Sequence, residues 1–477
     1  MKSDDAMIVD GQANRRLRLP SLWLLRLGLF LLCLLASVGT SLGMTVTRYQ
    51  YDEAGNQTAQ VDALGRTNTY AYDGMGRRIS HALPGGQTEG FAYDLDGNLI
   101  YQTNYNGAVI TNLYDEMNRL TNAVSVNGYH VSYSYTATGQ RQGMSDGSGT
   151  TGYSYDNRDR LIVKTVNWSG GPGVTLNYAY DANGNVTGVW SSTANGVNLA
   201  YGYDPLNRLT NVLASGSAAA GYGFDNAGNL QSMSYGNGVT NVYQYDALNR
   251  TTNLTASTVS GVIAQFAYQL GTSGNRTNLS ETVNGASRTY AWRYDNLYRL
   301  TNENVNAIGS VGYAYDPVGN RTNRQSSISQ LSTGSSAYNT NDWLAGDSYD
   351  SNGNTTNSGS KPYQYDVENH LTNFNNGTVL MTYDGDGNRA SKTVGGTTTY
   401  YLLDGQNPSG YVQVLEEWTS TGTSALSKVY NYGMALISQR QPNISTNYFV
   451  YDGHGSTRML TDIGGNVANA FTYAAGV

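Results

Sequence analysis

Residues 51–80 read YDEAGNQTAQVDALGRTNTYAYDGMGRRIS and place Tyr51-Asp52 and Tyr72-Asp73 21 positions apart, each pair followed by a glycine three residues after the aspartate. The interval continues to Tyr93-Asp94 and Tyr114-Asp115. It goes on less strictly through Tyr135, Tyr155, Tyr180, Tyr203-Asp204, Phe224, Tyr245-Asp246, Tyr268, Tyr294, Tyr315-Asp316, Tyr349, Tyr365 and Tyr383. Two forms of the motif alternate: YDANGNVT from Tyr180 and YDPVGNRT from Tyr315 carry Gly-Asn, whereas YDEMNRLT from Tyr114 and YDPLNRLT from Tyr203 carry Asn-Arg. A fixed period of this size is the mark of a repeat architecture.

Each part of the motif has a physical reading. In Tyr-x-Tyr-Asp the two rings are two residues apart, so they leave a strand on the same face. Asp-x-x-Gly-Asn then supplies a carboxylate that accepts backbone N–H groups and a glycine free to take positive φ, together a tight reversal. A second turn, as at Asn127-Gly128, closes the unit, which is therefore about two short strands. A lone hairpin is only marginally stable in water, so each unit must bury its tyrosine face against its neighbours. Strand twist opposes a long flat sheet. The expected fold is all-β: a spiral array of hairpins forming a curled sheet or incomplete hollow shell, preceded by an N-terminal export helix.

Composition agrees. With 57 Gly, 40 Tyr and 13% charged residues in 477, the chain suits short strands and tight turns better than helices or disorder. The formal charge is −7 and no Lys/Arg cluster follows residue 43, which argues against a nucleic-acid partner. Cys33 is the one cysteine, so no intrachain disulfide can form.

Residues 1–43 have the layout of a signal peptide: Arg15, Arg16, Arg18 and Arg26, an apolar run from Leu27 to Ala36, then small and polar residues to Gly43. Cleavage near Ser41 to Gly43 is the expectation, and an uncleaved membrane anchor the alternative. Export follows, to the medium or the cell surface, with membrane contact only through this segment.

The end of the chain adds a second signature. Tyr451, Asp452, Gly455, Ser456, Arg458, Leu460, Thr461, Asp462, Gly465 and Val467 match the hallmark of the RHS-associated core, and the preceding array resembles the YD-repeat, or RHS, family. That family includes bacterial polymorphic toxins, insecticidal toxin-complex subunits and, more distantly, teneurins. The resemblance implies a hollow β-cage which, in toxin members, encloses a C-terminal effector. The self-cleavage region and toxin that follow the core signature in the family find no counterpart here, so neither proteolysis nor toxicity carries over.

Other candidates are weaker than their structural explanations. His81, His130, His370 and His454 are scattered and lack metal-ligand spacing. Asp94–Asn98 and Asp384–Asn388 resemble part of a calcium loop but lack the distal glutamate. Ser169–Gly173 has no phosphate-binding sequel. Trp168, Trp190, Trp292, Trp343 and Trp418 could stack on sugars at a surface, although burial is the commoner role. No catalytic, cofactor-binding or metal residues are therefore expected.

Four regions result: an export segment (1–43), a repeat array (44–324), an irregular insertion (325–348), and further repeats ending in the partial core (349–477). The expected function is a non-enzymatic scaffold of an exported RHS/YD-type protein whose effector is encoded separately or lost. The alternatives are a cell-surface adhesion or glycan-binding module and, least favoured, an autonomous enzyme.

Overall fold

In the computed structural model the chain divides into two compact units, Met1–Val46 and Thr47–Val477, and the structure describes residues 46–407 and 410–473. The export segment lies outside the described residues, as does the helix expected there. Within them no helix is long and apolar enough to cross a membrane.

The second unit is all strand and turn. A 27-stranded sheet runs from Arg48–Tyr51 to Gly334–Ser335, and a 13-stranded sheet from Ser348–Tyr349 to Val467–Ala470. Each strand pairs antiparallel with the one before and the one after it, so both sheets are meanders. Neither closes on itself: Arg48–Tyr51 pairs only with Gln57–Val61, and Val467–Ala470 only with Thr457–Thr461.

Both edges of the ribbon turn in the same way. The N–H of the first turn residue bonds the carbonyl four residues on, and the N–H of the fourth bonds back to the first. Asp52, Asp62, Asp73, Leu83, Asp94, Asn104, Asp115, Ser125 and Thr136 all start such a turn. The structural period is thus ten or eleven residues, and the 21-residue sequence repeat contains two of them.

Where the strand reaches the motif tyrosine, the ladder slips by one residue. Tyr203 pairs with Leu209 but Gly202 with Asn211, leaving Thr210 as a bulge, and Tyr114, Tyr245 and Tyr315 sit beside equivalent slips. Bulges sharpen the local twist, so one per unit supplies a steady source of curl.

The core lies where the second sheet covers the middle of the first. Leu176, Leu199, Leu254 and Phe266 from the first meet Leu402, Leu415, Ile437 and Met459 from the second, all less than 2% exposed. Burying a side chain of this size stabilises by about 1.5–3 kcal/mol, so this seam dominates the packing energy. Before Leu161 the described strands contribute almost nothing to it.

Candidate functional site: the repeat joints and the C-terminal seam

In this protein the motif residues make joints between units. Asp204 shows the Asn-Arg form: its Oδ1 accepts the N–H groups of Leu206 and Arg208, both at 2.9 Å, and Oδ2 pairs with Arg208 Nε at 2.7 Å. The Arg208 guanidinium then lies 4.5 Å from the centroid of Phe224, in the next unit. Arg77, Arg119, Arg160 and Arg299 repeat this over Tyr93, Tyr135, Tyr180 and Tyr315, and each also donates to a main-chain carbonyl one repeat ahead.

The Gly-Asn form makes a different link. Asn229 donates to Asp225 Oδ2 at 2.9 Å and to Asn249 Oδ1 at 3.0 Å, and Asn249 is the left-handed residue of the following Asn-Arg turn. Asn98 with Asn118, and Asn185 with Asn207, do the same. Where an Asn-Arg turn follows a Gly-Asn turn, its left-handed Asn supplies a side-chain acceptor that Gly cannot, although the Gly-Asn turn at Asn56 is followed by Gly76.

A third link runs backwards. The hydroxyls of Tyr72, Tyr93, Tyr114, Tyr203, Tyr245 and Tyr315 donate to the carbonyls of Gln57, Arg78, Leu99, Val186, Leu230 and Leu300, each just before the bulge of the preceding unit. Tyr51, in the first strand, is 61% exposed. Asp52, Asp73, Asp94, Asp115 and Asp246 hold carboxyls below the usual range, chiefly through hydrogen bonds from the residue four positions on, and Asp316 makes the same contacts to Asn320.

The core signature belongs to the seam between the sheets. Tyr451 donates to Leu436 O, and Asp452 and Asp462 begin turns whose left-handed residues are Gly455 and Gly465. A Cβ on Gly465 would lie 3.0 Å from Asn237 O, so positive φ and close approach both call for glycine. Arg458 is the bulge residue, 4% exposed, pairing with Asp452 at 3.2 Å and Glu281 at 2.7 Å while its guanidinium lies over Phe266. Thr461 accepts from Asn237 Nδ2, Leu460 pairs with Phe449, Val467 with Thr461, and Ser456 donates its N–H to Asp452.

Further polar groups pin the seam, and the sequence reading missed them. Glu416, fully buried, accepts from Ser191 Oγ, Thr193 Oγ1, Val197 N and Trp418 Nε1. Asp404 accepts from Tyr178, and burial pushes its carboxyl up; Lys164 donates to Leu403 O, and burial pushes its amine down. A signal existed. Lys164 and Glu303 stand four residues after Arg160 and Arg299, where Arg208 and Arg250 are followed by the buried Val212 and Leu254.

Several of the remaining candidates are spent on packing and turns, while Trp190 is 40% exposed. Among the described residues no three His, Cys, Asp or Glu side chains gather as metal ligands. His370 takes the place of the turn arginine, 3.0 Å from Asp366 and stacked on Tyr383, while His81 stacks on Tyr70. Asp94 and Asp384 serve their own turns through Asn98 and Asn388. Trp168 is 5% exposed against Tyr400, so it offers no surface platform.

The RHS Repeat family profile matches residues 34–67, 51–88 and 180–218. No curated protein matches the chain. Among solved structures, TcdB2-TccC3 superposes with a TM-score of 0.75 at 16% identity over 90% of this chain and 27% of that one. TcdB2-TccC3-Cdc42 gives 0.76 at 16% over 90% and 26%. The Photorhabdus luminescens Tc holotoxin pore with a TccC3 mutation gives 0.64 at 16% over 92% and 28%. The chain thus spans about a quarter of the length of these structures, and at such identity the likeness is one of fold.

Proposed function

Because the chain is an RHS/YD-repeat protein, we propose that its structural scaffold is a section of an exported shell that encloses a polypeptide effector. The observation that carries this reading is the long run of joints. From Tyr72 to Tyr473 the motif residues are spent on neighbouring units, and the polar groups that depart from the repeat are spent largely on holding the second sheet to the first. Such an arrangement makes a wall. The proposed role is non-enzymatic.

Export rests on the charged and apolar pattern of residues 1–43, and the effector on similarity to TcdB2-TccC3, a toxin-complex shell. Protease protection tests the proposal. The full chain is co-expressed with the polypeptides encoded around its reading frame, and the secreted fraction is digested with and without prior unfolding. One of those polypeptides should resist digestion only while the repeat chain is folded. Equal digestion of all of them with and without the chain would remove the enclosing role.

A further inference from the structure

The first sheet changes character near its C-terminal end. In most units the core-facing positions are tyrosine and aliphatic, but between Arg276 and Glu303 they include Glu281, Trp292 and Glu303, opposite the turn at Asp452. A cleft of about 620 Å³ opens here, inside the range of about 300–1,000 Å³ usual for small-molecule sites. Its walls include Trp292, Tyr294 and Tyr473, and its polar groups include Arg276, Glu303 and His454.

The aromatic wall is held rigidly. Trp292 donates its indole N–H to Glu303 Oε2 at 2.9 Å and stacks on Tyr290 with ring centroids 5.7 Å apart and planes 15° apart. Tyr473 is 50% exposed, its hydroxyl anchored to Thr457 O. The polar groups offer both donors and acceptors. Arg276 gives one nitrogen to Gly453 O, while its Nη1 is buried with no hydrogen-bond partner among the described residues. Charge is nearly balanced, with Arg276 and Arg458 offset by Glu303 and Asp452, and Arg250 tied to Asp246. Burial and Arg276 hold His454 toward its neutral form.

A charge-balanced cleft selects neither a phosphate nor a polycation. Flat aromatic faces beside mixed donors and acceptors suit an uncharged ring edged with hydroxyl groups, whose C–H face stacks while its oxygens pair. We propose that this cleft binds a neutral saccharide, with the rings of Trp292 and Tyr473 as the stacking surfaces and the exposed His454 imidazole pairing with a ring substituent. The inference stands apart from the enclosing role, since a shell with or without cargo would display the same cleft.

Saturation-transfer NMR on the full chain tests it, with glucose, galactose, N-acetylglucosamine, cellobiose, lactose and chitobiose as probes and a basic and an acidic hexapeptide as competitors. At least one sugar should receive saturation. Tyr473→Ala should weaken that sugar about tenfold, the scale of one lost aromatic contact. Tyr473→Phe, which keeps the ring and loses only the bond to Thr457, should bind within about twofold of the parent, far less than one hydrogen bond's worth of affinity. His454→Ala should weaken binding as well, with the β-type circular dichroism spectrum retained. Silence from all six sugars, displacement by the peptides alone, or binding unchanged in Tyr473→Ala would overturn the proposal.

Discussion

Tyr298 sits at φ 60°, in the fourth position of the turn from Asp295, where the equivalent residues are Gly97, Asn118, Asn207, Gly228 and Asn249. A residue with a Cβ loses about 1–2 kcal/mol there, while Gly and Asn tolerate the region. Its side chain is 64% exposed, so little packing is lost on replacement. Tyr298→Gly should therefore raise the urea midpoint, by an amount equivalent to about 1 kcal/mol, since the entropy of glycine offsets part of the gain. At the same scale the turn carboxylates set the response to acid. Asp52, Asp73, Asp94, Asp115, Asp181, Asp204, Asp225 and Asp246 are all lowered, and hydrogen bonds and the Arg160 charge hold Asp156 down to about 2. A lowered carboxyl contributes stability above its unfolded value and loses it as pH falls through the folded one. Asp384, Asp404 and Glu368 are raised and act in the opposite sense, but they are fewer. Urea midpoints should hold down to about pH 4 and fall steeply toward pH 2. A flat profile across that window would contradict the account of the turns.

At the scale of one hairpin, the backward tyrosine bond joins units that would otherwise meet only through the ladder. Tyr203→Phe removes the bond to Val186 O and should cost about 0.5–1.5 kcal/mol, the net worth of a protein hydrogen bond. Position 224 is the converse: Phe224 keeps the arginine contact but has no hydroxyl to reach the preceding unit. Phe224→Tyr should therefore gain a similar amount, and equilibrium unfolding of both variants checks the pair. Much of the element was legible in sequence. Tyr-Asp spacing and the Asp–Gly turn gave strands, reversals and all-β class because each depends on residues within five positions. The half-length period was harder to see, since Leu83, Asn104 and Ser125 make the Asp62-type turn without its aspartate. Tyr338 was passed over for a related reason. Its hydroxyl bonds Arg321 O and Asn339 starts the turn that closes at Trp343, so a degenerate unit lies inside 325–348, with Asn in place of the aspartate used to align the others. The bulge at each motif tyrosine has no one-residue signature, because it belongs to the partner strand.

For the whole molecule, the seam decides whether the second sheet stays on the first. Gly385 is one contact point: its N–H donates to Asp146 Oδ2, and an added Cβ would fall 2.5 Å from Val131 Cγ1. Gly385→Val should cost about 1–3 kcal/mol as an overpacked contact and speed hydrogen exchange locally in residues 379–394. Arg458 is the other. Replacing it with Met leaves Glu281 and Asp452 buried without their cation and should destabilise by about 3–5 kcal/mol. Restoring charge balance with Glu281→Gln and Asp452→Asn in the same chain should recover part of that loss, and denaturant titration distinguishes the cases. The core signature pointed to Arg458 and Asp452, but Glu281 could not be read as their partner, because the pairing spans the fold rather than one repeat.

The joints also have a direction. Every backward tyrosine bond ends on a carbonyl that was synthesised roughly fifteen residues earlier, so its acceptor is already in place when the tyrosine arrives. Growth from the amino end can fasten each hairpin on emergence, whether from a ribosome or a secretion channel. An array entering such a channel carboxyl end first would present donors before their acceptors, and would have to wait.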